Sequence, residues 1–589
     1  MYRAPVSDIA FTLKKVAGLD DAIATGVFED LSEDLVDAVL EQAGKFATEE
    51  IAPLNRPGDM KGAVLQDSAV TMPPGWIETY RSWMNDGWNG LAAPTEYGGQ
   101  GLPVMIASAV TEMWNSASMA FGLGPLLSIG AIEAIHKHGS DELKSKFLEK
   151  LVSGQWTGTM NLTEPQAGSD LNALKARAEP AGDGTYRIFG QKIFITYGEH
   201  DLTDNICHLV LARLPDAPAG TRGISLFLVP KFLVDDEGNI GKRNDVFCQS
   251  LEHKLGIHAS PTCIMIYGDG FSGGEPGAIG YLIGEENKGL ACMFTMMNNA
   301  RLNVGIQGVA VAEAAYQQAL AYAQERKQGR SLDHDGPGMS PIVEHPDVAR
   351  MLLTMKAKVQ AARAICYNCA HAIDMADLAN RDGSRSEAER ASILTPVAKA
   401  YSSDIGFEVA SLGVQVHGGM GFMEETGAAQ YLRDARINPI YEGTNGIQAI
   451  DLVLRKLPLS DGEAVHSYIS ELREIAGSVQ GVNHDDFGET ASRLSDALDD
   501  LSETTEWILE SLSQGRKSEV LAGATPYLRL FAISAGAAYL AKAGLADSSK
   551  SRLARFFAEN VLADSASLKR RVTEGAASLE AAHSILEAS

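Results

Sequence analysis

Two changes of period constrain this chain more than any other feature. From about residue 20 to 157, apolar residues recur at spacings of three and four, as in LSEDLVDAVLEQAGKFATEEI and MIASAVTEMWNSASMAFGLG, and predict helices. Between about 158 and 282 the pattern becomes extended: GTYRIFGQKIFITYG, CHLVLARL, RGISLFLVP and TCIMIYG are β-branched and aromatic, with turn formers AGDG, DAPAG and DDEGN between them. From NKGLACMFTMMNNARL onward the helical pattern returns and holds to about residue 456. The remainder is helical as well, with Leu494, Leu498, Leu501, Ile508 and Leu512 on one apolar stripe. The segments read 1–157, 158–282, 283–455 and 456–589. Strands grouped between helical regions predict an α+β chain whose middle is an antiparallel barrel or sandwich, not a set of βαβ units.

Charge and cysteine usage narrow the function. With 76 acidic against 50 basic residues, a net charge of -26 repels phosphate backbones and anionic lipid. No nucleic acid or membrane partner is expected. The start, MYRAPVSDIAFTLKKVAG, lacks a basic segment followed by an apolar run, so the expected location is cytoplasmic. The most membrane-like stretch, YLRLFAISAGAAYLAKAGLA, is interrupted by Arg529 and Lys542. Six cysteines are too sparse for a disulfide framework. Cys366 and Cys369 lie on a helical pattern without a second pair, and read as core residues.

Three constellations carry possible chemistry. NLTEPQAGSD, residues 161–170, places Thr163, Gly168, Ser169 and Asp170 on a tight turn that suits either an anion or flavin edge or a simple cap. QVHGGMGF, residues 415–422, permits close backbone approach to a ligand or close helix packing. Arg301 and Arg326 are 25 residues, about seven turns, apart on one helical pattern, hence roughly 37 Å apart along its axis. If both bind ligands, they serve different sites.

The order TEPQAGSD, GQKIFIT, ERKQGR, QVHGGMGF and RDARINPIYEGT, within an α-β-α chain, resembles the flavin-dependent acyl-CoA dehydrogenase family over residues from about 30 to 455. The resemblance implies that family's fold: an N-terminal α domain, a middle β-barrel and a C-terminal four-helix bundle, here with an added C-terminal helical domain. It implies FAD as cofactor, held by Met160, Leu162, Thr163, Gly168, Ser169, Phe194, Ile195, Thr196, Thr444 and Asn445. Arg326, Gln328, Gln415, Gly418 and Gly419 match positions that contact the FAD of a neighbouring subunit. Ser169, Asn298, Arg301 and Gly443 match substrate contacts.

In the family a carboxylate removes the proton α to the thioester carbonyl while the β-hydrogen leaves as hydride to the flavin. Glu442 occupies that position; a rival position on the long helix, just before Arg301, is Ala300. An exposed carboxylate with a pKa of about 4.3 is too weak for this proton. Desolvation must raise it, and fixed donors must polarise the carbonyl. Tyr441 and Ile440 are expected to provide apolar neighbours, and Gly443 room for the thioester. A helix beginning at Thr444 or Asn445 opposes the rise through its dipole, so the strong rise is expected only once acyl-CoA has displaced water.

Some positions depart from the family pattern. Phe194 stands where a tryptophan is common, Gln430 where a base is usual, and Gly446 where an amide side chain often meets FAD. EHKLGIHASPTC, the opening YRAP and the C-terminal extension are similar to a subgroup near 600 residues. Its members act on 3-(methylsulfanyl)propanoyl-CoA from dimethylsulfoniopropionate breakdown or on medium- and long-chain fatty acyl-CoAs; the sulfur substrate is favoured. The resemblance further implies a homodimer and electron-transferring flavoprotein as acceptor. Rival readings are a flavin oxidase, a non-catalytic flavin-binding or assembly protein, and a nucleic-acid-binding relative. The acidic NHDDFGET and LDDLSET disfavour the last.

Overall fold

The computed structural model describes residues 1–28, 30–382, 385–482, 484–580 and 582–587. They form two compact units, one from Met1–Lys45, Val104–Ser116 and Arg301–Ser589, the other from Phe46–Pro103 and Ala117–Ala300.

The second unit carries an eight-stranded sheet, ordered Val246–Leu251, Thr262–Tyr267, Tyr186–Thr196, Ala278–Ile283, Ser225–Pro230, Asn205–Ala212, Trp156–Asn161, with Arg177–Pro180 also pairing with Tyr186–Thr196. Every pair in it is antiparallel except Trp156–Asn161 with Asn205–Ala212, which run parallel. Those two strands are not joined by a hairpin: the chain between them runs through Arg177–Pro180 and Tyr186–Thr196, the long connection that a parallel pair requires. Three strands, Trp156–Asn161, Asn205–Ala212 and Ser225–Pro230, are buried at every residue. Coverage of both faces is why CHLVLARL and SLFLVP read as unbroken apolar runs. The Met119–His138 helix packs on Trp156–Asn161 at Gly158, where a Cβ would fall 2.3 Å from that of Ala131. Any larger residue would push helix and strand apart.

The first unit is helical. Pro346–Asp382 and Ser386–His417 lie side by side, and the long helix Gly289–Glu325 crosses the second of them in its C-terminal part. At that crossing a Cβ on Gly308 would meet the Ser402 carbonyl oxygen at 2.1 Å, so the two backbones touch. Helix Lys517–Ala546 of the C-terminal extension packs on both Pro346–Asp382 and Ser386–His417. The stripe of Leu494, Leu498, Leu501 and Ile508 is fully buried; Leu512 is half-buried.

Two helices, Met119–His138 and Lys517–Ala546, are long and apolar enough to cross a membrane, but 83% and 72% of their most apolar windows are buried in the fold. They are core helices of their units. The two cations that interrupt the second have partners: Arg529 donates to both oxygens of Glu408, at 2.8 and 3.0 Å, and Lys542 to the Val16 carbonyl at 2.9 Å. Cys366 and Cys369 are buried and unbridged, Cys366 beside the Ser402 hydroxyl at 3.3 Å.

Candidate active site

In the first unit the chain reverses tightly around Glu442. The Tyr441 N–H closes on Ile437, the Asn445 N–H on Pro439, and Thr444 caps helix Asn445–Asp451 by accepting the Ile447 N–H. Glu442 sits at φ +55° and Gly443 at φ +83°. The left-handed conformation costs a glutamate roughly 1–3 kcal/mol, and such strain concentrates at functional positions. At Gly443 a side chain would meet that strain and, at 2.7 Å, the Gln448 amide. That amide donates to the Gly443 carbonyl at 3.2 Å, so this glycine has a structural reason of its own.

The strain is held by buried polar anchors. The Tyr441 hydroxyl donates to Gln307 Oε1, and Gln307 Nε2 to Asn115 Oδ1 at 3.3 Å. Lys399 is fully buried and donates to the Asn438 carbonyl and to Asn445 Oδ1, both at 2.9 Å. The Asn445 amide in turn donates to Asp404, Ser403 and the Ala400 carbonyl. With its amide and its N–H both turned inward, Asn445 has no side-chain group left for a cofactor.

Among the described residues the Glu442 carboxylate is in no ion pair and its N–H donates to no group. Desolvation raises its carboxyl above the ordinary value, against a downward pull from the Lys399 and Arg301 charges. The rise is present without acyl-CoA, where the strong rise was expected only on its binding, and the surroundings also differ: Ile440 is 48% exposed, and two cations stand near where apolar neighbours were foreseen. Arg301 is 8% exposed and donates to Asp451 at 3.3 Å; its Nε has no partner among the described residues. Asp451 also holds Arg455 at 2.6 Å.

The other group on the long helix is far away. Arg326, one residue past Glu325, and Gln328 are exposed and joined by a 3.2 Å hydrogen bond. Tyr322 stacks on His417, rings 4.4 Å apart, which brings this end beside exposed Gln415, Gly418 and Gly419. A Cβ at 418 or 419 would meet nothing within 4 Å, whereas at Gly421 it would strike the Val414 carbonyl at 2.3 Å. Close packing thus accounts for Gly421, while Gly418 and Gly419 border open space. Gln430 is buried and donates to Asp434 at 3.3 Å, a neutral contact where a salt bridge is usual.

In the second unit a buried ion pair shapes the TEPQAGSD turn. Lys192 donates to Glu164 at 2.8 Å and to the Leu162 carbonyl at 3.0 Å, and Glu164 accepts the N–H groups of Lys175 and Ala176. The Ile193 N–H reaches the Thr163 carbonyl at 2.9 Å, joining this turn to the strand that carries Phe194. Asp170 caps the following turn through Asn172, as the simpler reading expected, while Gly168 and Ser169 stay exposed and Leu162 and Thr163 half-buried. Phe194 is 58% exposed at φ +60°. A strand residue strained so as to hold an aromatic ring outward suits stacking on a planar ligand. Met160 and Ile195 are buried and Thr196 half-buried, its carbonyl accepting from Thr159 at 2.7 Å. Ile195 is thus left with its main chain for any such contact. Ala300 is buried, and the side chain of Asn298 lies outside the described residues.

Within the second unit, the outward ring of Phe194 beside the exposed Gly168 and Ser169 suits the face and polar edge of an isoalloxazine. The anchors Lys399, Gln307, Asn438 and Asp404 were missed in the sequence. A signal existed for one of them: Lys399 is the lone cation in the apolar run ASILTPVAKAYSS.

Models of acyl-CoA dehydrogenase domains match the chain in order: the N-terminal domain at residues 34–155, the middle domain at 159–269 and the C-terminal domain at 287–457. An acetyl-CoA dehydrogenase C-terminal-like model matches 469–583. The chain is 44% identical to 3-methylmercaptopropionyl-CoA dehydrogenase of Ruegeria pomeroyi, over 98% of this chain and 99% of that one. It is 36% identical to a butyryl-CoA dehydrogenase of Syntrophomonas wolfei, over 80% and 78%. Among solved structures, an acyl-CoA dehydrogenase complexed with FAD from Bacillus anthracis shares the fold, with a TM-score of 0.73, 20% identity, and coverage of 93% and 89%. Sequence, domain order and fold agree: the chain belongs to the acyl-CoA dehydrogenase family, FAD-dependent oxidoreductases acting on acyl-CoA thioesters.

Proposed function

We propose that Glu442 is the base of an α,β-dehydrogenation and that the substrate is 3-(methylsulfanyl)propanoyl-CoA. The observation that supports the base is its setting: a strained carboxylate, raised by desolvation, with no ion-pair partner among the described residues. Glu442 takes the proton from the carbon α to the thioester carbonyl, and its N–H, which donates to no group among the described residues, polarises that carbonyl. FAD, when bound, supplies the acceptor for the β-hydride. The bond pair left at the α-carbon closes the double bond of a trans-2-enoyl thioester, here 3-(methylsulfanyl)acryloyl-CoA.

Phe194, Thr163, Gly168, Ser169 and Thr444 hold the flavin in this reading, with main-chain contacts from Met160, Leu162, Ile195, Thr196 and Asn445. Ser169, Asn298, Arg301 and Gly443 face the acyl-CoA. Segments 1–157, 158–282, 283–455 and 456–589 act as its domains. Arg326, Gln328, Gln415, Gly418 and Gly419 reach the cofactor of a second copy, so the assembly is a homodimer in the cytoplasm with electron-transferring flavoprotein as acceptor. Sedimentation velocity is expected to give twice 62.9 kDa; a stable tetramer would contradict it.

The substrate rests on the 44% identity spanning both chains. Its acyl chain has the length of pentanoyl, with sulfur in place of one methylene. Anaerobic flavin bleaching with 3-(methylsulfanyl)propanoyl-, butanoyl-, pentanoyl- and palmitoyl-CoA tests it. The sulfur thioester is expected to react fastest; faster bleaching by palmitoyl-CoA would refute the assignment.

A further inference from the structure

We infer that Lys399 is a positioning residue for the base: its buried ammonium binds both flanks of the Glu442 loop and holds the carboxylate in its left-handed conformation. The inference rests on Glu442 being the base. The Asn438 carbonyl lies before Glu442 in sequence and the Asn445 side chain after it, and one ammonium ties them together at 2.9 Å each. The fastening is specific. Lys399 is carried by helix Ser386–His417, on which both helices that flank the loop, Ala428–Ala435 and Asn445–Asp451, pack, so the ammonium has little freedom to move relative to the loop. Asn445 is itself fixed by Asp404 at 2.7 Å and Ser403 at 3.0 Å, leaving its oxygen aimed at Lys399.

The same ammonium acts on the charge of the base. The ionisable groups around it are Glu442 on the loop, Asp404 on its own helix and Arg301 on the long helix, with Asp451 and Arg455 beyond Arg301. Burial pulls Lys399 down to about 7, while Glu442 and Asp404 hold it up and Arg301 adds to the fall. Of the two cations that lower Glu442, Lys399 is the larger influence. Coupling runs both ways: a proton taken up by Glu442 removes the charge that keeps Lys399 an ammonium. Lys399 thus opposes the desolvation that raises the base.

Two variants separate fastening from charge. Lys399→Met removes both; Lys399→Gln keeps an N–H donor without charge. With FAD content normal, Lys399→Met is expected to slow anaerobic flavin reduction at saturating acyl-CoA about 10- to 100-fold, with little change in KM. The acid limb of its pH profile should move up by roughly one unit. Lys399→Gln should recover part of the rate but keep the shifted limb, a split that loss of packing alone does not produce. Wild-type rate and acid limb in both variants would overturn the inference. If neither variant folds, Asn445→Ala carries the same test by removing one of the two ammonium contacts: a slowed rate at unchanged KM supports it and a wild-type rate refutes it. Glu442→Gln, measured alongside, distinguishes the two readings. If it still bleaches, the base assignment fails and this inference with it; if it is inactive while the Lys399 and Asn445 variants behave as wild type, this inference alone fails.

Discussion

Glu442→Gln is expected to lower the rate of flavin bleaching by acyl-CoA by at least about 10³-fold while leaving the folded protein and its FAD in place. A positioned base contributes roughly 10²–10⁴-fold on its own. Here the α-proton has no second carboxylate on the long helix to take it, since the position before Arg301 is Ala300. Glutamine keeps the length and shape of the side chain and the N–H at 442, so binding of the thioester should survive. Stability distinguishes this outcome from misfolding. The folded protein raises the Glu442 carboxyl above its unfolded value, chiefly by desolvation. That group therefore contributes stability at pH below the unfolded value near 4.5, and the contribution is lost as pH rises through the folded value. At pH 8 the ionised carboxylate is a net cost, and replacing it with a neutral amide should leave the melting temperature equal or higher. Inactivity with a melting temperature several degrees lower at pH 8 would point to a damaged loop and not a missing base.

What the sequence disclosed about this site, and what it withheld, follows from the range of the interactions. Strands such as CHLVLARL were legible because burial on both faces leaves its mark residue by residue, and the helix after Thr444 because a cap is a local device. Phe194 could be named from its motif, but its outward ring could not: a strand residue at φ +60° breaks the alternation on which reading a strand depends. Lys399 and Asn445 are 46 residues apart, and what unites them is the packing of helix Asn445–Asp451 on helix Ser386–His417, a contact no local pattern encodes. Ile440 shows the reverse error. Adjacent in sequence, it was expected to shield Glu442, yet the turn at Glu442 leaves it 48% exposed. Arg529 looked like an interruption in an apolar helix, and its partner Glu408 lies 121 residues away.

Arg363→Met is expected to cost about 3–5 kcal/mol of stability, the scale for removing one member of a buried charge cluster. Arg363 and Glu112 are fully buried and Glu313 is 5% exposed. The guanidinium donates twice to Glu112 Oε1, at 2.8 and 2.6 Å, and once to Glu313 Oε2 at 2.9 Å, while the Tyr367 hydroxyl donates to the remaining Glu112 oxygen at 2.6 Å. Two carboxylates thus share one cation. Without it they face each other unpaired in a low-dielectric site, and one or both must take up a proton to remain inside. Uptake is easier in acid, so the loss measured by urea unfolding should be larger at pH 8 than at pH 5. The triple variant Arg363→Met, Glu112→Gln, Glu313→Gln should recover much of it, because no buried charge is left unmatched. Activity should fall as well, through a connected path: Glu112 shares helix Val104–Ala117 with Asn115, which accepts from Gln307, which accepts from Tyr441 beside the base. Loosening that helix loosens one of the two anchors of the Glu442 loop. A loss below about 1 kcal/mol at pH 8 would mean that water reaches the cluster and that the loop does not depend on it.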